Sequence, residues 1–280
     1  MGLARHTTLW PLAVLAVGAG CAAPAATERA RTLVREHRES EAVAALRTRL
    51  GAYPGDIDAR RLLVRLLGLT GDVASARAES EQLARRLPAG DVGAHLELGH
   101  ALELAHRYDE ALAQYDEAAD EAPTSPQGPL EGGMRSARWG EAEQSRPRLE
   151  EAVRRGARDA HTWHVLGLVR LHLGDLDAAE DAYRSGIGAD PRAVESWLGL
   201  ATVALTRGDA QGALDAYEQV LARQRQSAPA ELGRAWALAR LGRTAEASMS
   251  LDRAVELGAP AENVARQRAA LASGAAPLVP

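Results

Sequence analysis

Apolar residues recur along this chain at helical spacing in short runs, and the runs come in pairs. Between His161 and Leu173 they fall at Trp163, Leu166, Val169 and Leu173, the spacing of one helix face. Gly174-Asp175 interrupts the run, and a second apolar stripe follows from Ala178 to Ile187 before Asp190-Pro191 closes it. Glycine suits the left-handed residue that ends a helix, aspartate caps the next helix, and proline suits a fresh start. The pattern predicts two helices joined by a tight turn.

This hairpin is written several times. Residues 174–183 read GDLDAAEDAY and residues 208–217 read GDAQGALDAY, a spacing of 34. Steps of 34 carry Gly174 and Gly208 forward to Gly242 and back to Gly140. The same steps carry Ala179 to Ala213 and Ala247, and back through Ser145 to Ala111. Gly71 and Ala76 open an earlier repeat offset by one residue, and His37, Ala42, Leu46 and Pro54 fit one before that. About seven repeats result, beginning near 23, 57, 92, 126, 160, 194 and 228. A hairpin this short cannot bury its apolar faces alone, so each must stack on its neighbours.

The residues at fixed positions resemble the tetratricopeptide repeat (TPR) family. Its order of Trp, Leu, Gly, an aromatic or large residue, Gly, Ala, aromatic, Ala and Pro stands here as Trp163, Leu166, Gly167, Arg170, Gly174, Ala179, Tyr183, Gly186 and Pro191. The third repeat gives Leu98, Gly99, Tyr108, Ala111, Tyr115, Ala118 and Pro123, and the sixth gives Trp197, Leu200, Ala201, Gly208, Ala213 and Tyr217. The resemblance implies an all-α fold, a right-handed α-solenoid of about seven hairpins with a C-terminal capping helix. Gly99 and Gly167 mark close helix approach, where a larger side chain overpacks by roughly 1–3 kcal/mol.

The fourth repeat departs from the pattern. Pro123, Pro126, Gly128 and Pro129 lead into Gly132-Gly133, and Pro147 falls inside the second helix, where it removes a hydrogen bond. A kinked or mobile joint is expected over 124–148, between N-terminal repeats at 27–123 and C-terminal repeats at 149–260. Residues 261–272 read as the solvent-facing cap, and 273–280 as a frayed tail.

The first twenty residues belong to no repeat. Arg5 and His6 precede an apolar stretch from Leu9 to Val17, then Gly18-Ala19-Gly20-Cys21. That is the layout of a secretory signal peptide, too short to cross a hydrocarbon layer that needs about 20 apolar residues. VGAGC at 17–21 resembles a bacterial lipobox, with Gly18 where leucine is usual. The resemblance implies cleavage after residue 20, acylation of Cys21, and a lipidated tether over 21–26. Several acyl chains, at about 0.8 kcal/mol per buried methylene, give a durable anchor. Ala22 rather than aspartate after the cysteine favours the outer membrane, facing the periplasm.

Composition narrows the chemistry. With 46% hydrophobic residues, 4% aromatics and no phenylalanine, the chain has the makings of a helical core built on Ala and Leu. The formal charge of −5 and the absence of a basic stripe exclude nucleic acid as a partner. HLELGH at 95–100 sets its histidines five apart rather than the four that place both on one helix face. His161, His164 and His172 lack a companion acid or thiol at ligand spacing. No nucleophile elbow, phosphate loop or dinucleotide fingerprint is present in the sequence. No catalytic residue, metal or cofactor is expected.

What remains is a surface. In TPR proteins the first helix of each repeat lines a concave groove through its second, fifth, ninth and twelfth positions. The resemblance places there Leu96, His100 and Glu103; Leu130 and Met134; His161, His164, Leu168 and Leu171; Leu198, Thr202 and Leu205; and Leu232 and Trp236. Such a lining suits an amphipathic helix or an extended apolar peptide. The function expected is a lipid-anchored scaffold for envelope complexes, such as pilus secretin, outer-membrane or peptidoglycan machinery. The alternative is a secreted, non-lipidated accessory subunit of an envelope enzyme, or a metal-responsive regulator.

Overall fold

The computed structural model of the chain describes residues 22–273, with fifteen helices and no strand among them. Cys21, the residues before it that are expected to form a signal peptide, and the residues after Ser273 lie outside the described residues. The chain divides into two compact units between Ala111 and Leu112.

The N-terminal unit holds α1 (Ala22–Arg35), α2 (Glu39–Ala52), α3 (Ile57–Leu69), α4 (Val73–Ala84) and α5 (Gly93–Leu104), and the division falls inside α6 (Tyr108–Glu121). Helices α1 and α2 pair, as do α3 and α4, and α5 packs on both members of the second pair. The C-terminal unit holds α7 (Gln127–Arg138), α8 (Ala142–Arg154), α9 (Ala160–His172), α10 (Leu176–Ala189), α11 (Val194–Arg207), α12 (Ala210–Arg223), α13 (Ala228–Arg240), α14 (Thr244–Glu256) and α15 (Ala261–Ser273). Here four hairpins stack in order, and α15 covers α13 and α14. The all-α hairpin solenoid expected from the 34-residue spacing is the fold observed.

The repeated letters do what the pattern required. His37, Gly71, His106, Gly140, Gly174, Gly208 and Gly242 all take left-handed backbone, with φ between 57° and 86°. The residue after each turns its amide back into the helix just ended: Asp175 to the Arg170 carbonyl at 2.9 Å, Asp209 to that of Ala204 at 2.9 Å. This closes the first helix with the paired bonds of a glycine stop. The aspartate then starts the second helix, as Asp72 accepts from the Ser75 amide, Asp175 from Ala178 and Asp209 from Gly212.

Stacking follows from aromatic-into-glycine packing. Tyr183 on α10 is fully buried, its ring wedged between Gly167 of α9 and Gly199 of α11. A Cβ at Gly167 would stand 2.5 Å from the Tyr183 Cε1, closer than side chains approach. One repeat on, Tyr217 meets Gly233 in the same way. Position 167 is therefore small because the next helix brings an aromatic ring there.

Two segments singled out in the sequence are helical among the described residues. The segment 124–148 is carried by α7 and α8, with Gly128 against Ala119 and Gly133 against Leu149. Its glycines let this pair pack closely, and α8 continues past Pro147, while the division of the chain falls earlier, at 111/112. At the N-terminal end of the described residues, α1 begins at Ala22.

Candidate functional site

In the C-terminal unit each first helix touches the next, α7 to α9, α9 to α11 and α11 to α13. The second helices reach one another through these first helices, so the first-helix side is the inner one. Along it the exposed and half-buried residues of α7 and α9 make an apolar strip. Leu130 and Met134 on α7 are half-buried and rest on a core that includes Leu149 and Leu166. Leu168 on α9 is 45% exposed, a share that no side chain of the unit covers.

Between α7 and α9 the strip opens into a cavity of about 260 Å³ lined by Ala137, Gly140, Ala142, Val165, Leu168, Val169 and His172. Its floor exists because three small residues, Ala137, Gly140 and Ala142, fall where the α7–α8 turn meets α9. The lining is apolar apart from the His172 ring, so the cavity fits an aliphatic or aromatic side chain.

The polar members of the expected groove lie at its edge. His161 is exposed and His164 half-buried. The His164 ring sits 5.9 Å from that of Tyr183, and neither its Nδ1 nor the Tyr183 hydroxyl has a hydrogen-bond partner. Burial holds the His164 imidazole below its usual value, against a smaller pull upward from Glu195. Burial likewise pushes the Tyr183 phenol up. Both groups are therefore neutral at physiological pH.

Other expected residues fall elsewhere. Leu171 is half-buried against Ala179, Tyr183 and Val203, in the seam between hairpins. Leu198 is half-buried against the α11–α13 core, and Thr202 is exposed. Leu205, Leu232 and Trp236 are 4%, 6% and 2% exposed and do not line an open groove. The reason is the end of the stack. Val264 of α15 packs with Leu232 and Leu251, while Leu271 reaches the cluster that holds Trp236 and Leu205.

In the N-terminal unit, Leu96, His100 and Glu103 are half-buried on α5. Beside them Glu97 is buried and held by the Arg65 guanidinium, whose Nη2 donates to Oε1 at 3.0 Å. Burial pushes that carboxyl up, but bonds from His100 and Arg65 prevail and hold it below its usual value. Among the described residues no three His, Cys, Asp or Glu side chains form a group suited to a metal, and no helix is long and apolar enough to cross a membrane.

The model of the tetratricopeptide repeat family matches residues 70–126, 138–194 and 198–262, more than half of the chain. No curated protein matches it. Among solved structures, the C-terminal part of a TPR repeat-containing protein from Cytophaga hutchinsonii has a TM-score of 0.65 at 14% identity, over 85% of this chain and 98% of its own. YrrB, a TPR protein with an unusual peptide-binding site, has a TM-score of 0.58 at 17% identity, over 64% of this chain and 93% of its own. A MamA protein gives 0.56 at 19% identity, over 68% of this chain and 98% of its own. At these identities the likeness is one of fold.

Proposed function

The chain belongs to the tetratricopeptide repeat family, and from that premise we propose that it is a lipid-anchored scaffold of the bacterial envelope that grips a polypeptide on the first helices of its C-terminal unit. The observation that carries the reading is the apolar strip of Leu130, Met134, Val165 and Leu168 with the cavity beside it. An aliphatic side chain seated there removes the exposed 45% of Leu168 from water, worth about 1 kcal/mol. The peptide-binding site of the neighbour YrrB supports the same class of partner. The protein does no chemistry of its own and takes no cofactor; it holds a partner at the membrane for assembly of an envelope complex.

The lipobox-like VGAGC ending at Cys21 supports the anchor, and Ala22 rather than aspartate after it supports the outer membrane, facing the periplasm. The test is in-cell photocrosslinking from Leu168 in the full chain. A discrete partner is expected, lost when Val165→Asp blocks the cavity without unfolding the protein. Equal capture from Leu168 and from the exposed Arg184 on α10 overturns the groove. Unchanged membrane association of Cys21→Ser overturns the anchor.

A further inference from the structure

The last hairpin of the C-terminal unit is closed by α15, whereas the first hairpin of the N-terminal unit has no covering helix among the described residues. On the side of α1 and α2 away from α3 lies an open cleft of about 660 Å³. It is lined by Ala26, Leu33, Ala44, Ala45, Thr48 and Ala52, with Arg29, Glu41 and Arg49 on its walls. Arg29 is exposed, and Glu41 is bonded by Arg38 and attracted more weakly by Arg29. At one end stands Tyr53, 40% exposed, its ring 3.8 Å beneath the Arg49 guanidinium.

We propose that this face of the α1–α2 hairpin lies against the phospholipid surface that holds the anchor. The proposal rests on acylation of Cys21 and concerns where the fold sits once anchored. Helix α1 begins at Ala22, the residue after that cysteine, so a single Cα step of about 3.8 Å separates anchor and helix. No spacer lifts the hairpin clear of the headgroups. The two helices are antiparallel, so the start of α1 and the end of α2 share one edge, and Ala26 and Ala52 line the same cleft there. That edge carries Tyr53, an aromatic with a polar tip of the kind favoured at membrane interfaces. Short apolar side chains allow shallow seating, and the exposed Arg29 on the cleft wall faces the phosphates.

The experiment uses the lipidated full chain in vesicles of phosphatidylethanolamine and phosphatidylglycerol. Acylation of Cys21, the one native cysteine, leaves an introduced cysteine as the single thiol. An environment-sensitive fluorophore goes on Ala44→Cys in the cleft or, as control, on Ala78→Cys at the exposed surface of α4. Expected is a blue-shifted emission at 44, quenched at least two-fold more than at 78 by brominated acyl chains. Equal, weak quenching at both sites on vesicle-bound, acylated protein overturns the proposal and leaves the anchor standing. An unacylated Cys21 by mass spectrometry overturns both. A shift at 44 that appears without vesicles and grows with protein concentration assigns the face to a second copy instead, and also overturns it.

Discussion

His37 and His106 occupy turn positions that glycine fills in the other five repeats, at φ of 57° and 58°. A side chain there costs roughly 1–2 kcal/mol. His37→Gly should therefore raise stability by about 1 kcal/mol, seen as a higher urea midpoint. His106→Gly should gain less, because it loses the 3.0 Å bond between His106 Nδ1 and the Tyr108 hydroxyl. Burial also separates neighbours on α9. Leu166→Ala should cost about 2–5 kcal/mol, since Leu166 is 1% exposed, while Leu168→Ala should cost far less. His164 adds a pH dependence. Its folded value lies below the ordinary 6.5, so the unfolded chain takes up the proton first. The stability held above about pH 6.5 is lost on acidification through the depressed folded value. Thermal melts from pH 7.5 to pH 5.0 should show this loss, and His164→Leu should lessen it.

Each hairpin was legible in the letters because its turn, cap and small-residue positions are local and recur. Gly174-Asp175 reads as a helix stop and start in sequence and acts as one in the structure. Gly167 was legible as a close approach, and the Tyr183 ring accounts for it. Which first-helix residues stay open was not legible. That depends on what the neighbouring element brings, and Leu205, Leu232 and Trp236 are sealed by packing at the last hairpin and α15. The α7–α9 cavity was equally hidden, for it arises where Ala137, Gly140 and Ala142 supply no bulk, and only Leu168 of its lining stood at an expected position. Within α8, Pro147 removes the amide that would bond the Glu143 carbonyl, so Pro147→Ala should stabilise this hairpin by up to about 3 kcal/mol. Slower hydrogen exchange across residues 142–154 would register it.

At the scale of the whole molecule, a row of near-identical modules has no inherent length. Each presents at its trailing side a surface made to receive another of its kind, and arithmetic alone would let the row continue from one chain into the next. Here α15 is the full stop, its Val264 and Leu271 laid over the apolar wall of the seventh module. Ending the chain at Pro260 should bare Leu232 and Leu251, a contact that links head to tail without closing on itself. Sedimentation velocity of such a truncated chain should reveal open-ended filaments lengthening with concentration, where the full chain shows a species of fixed size.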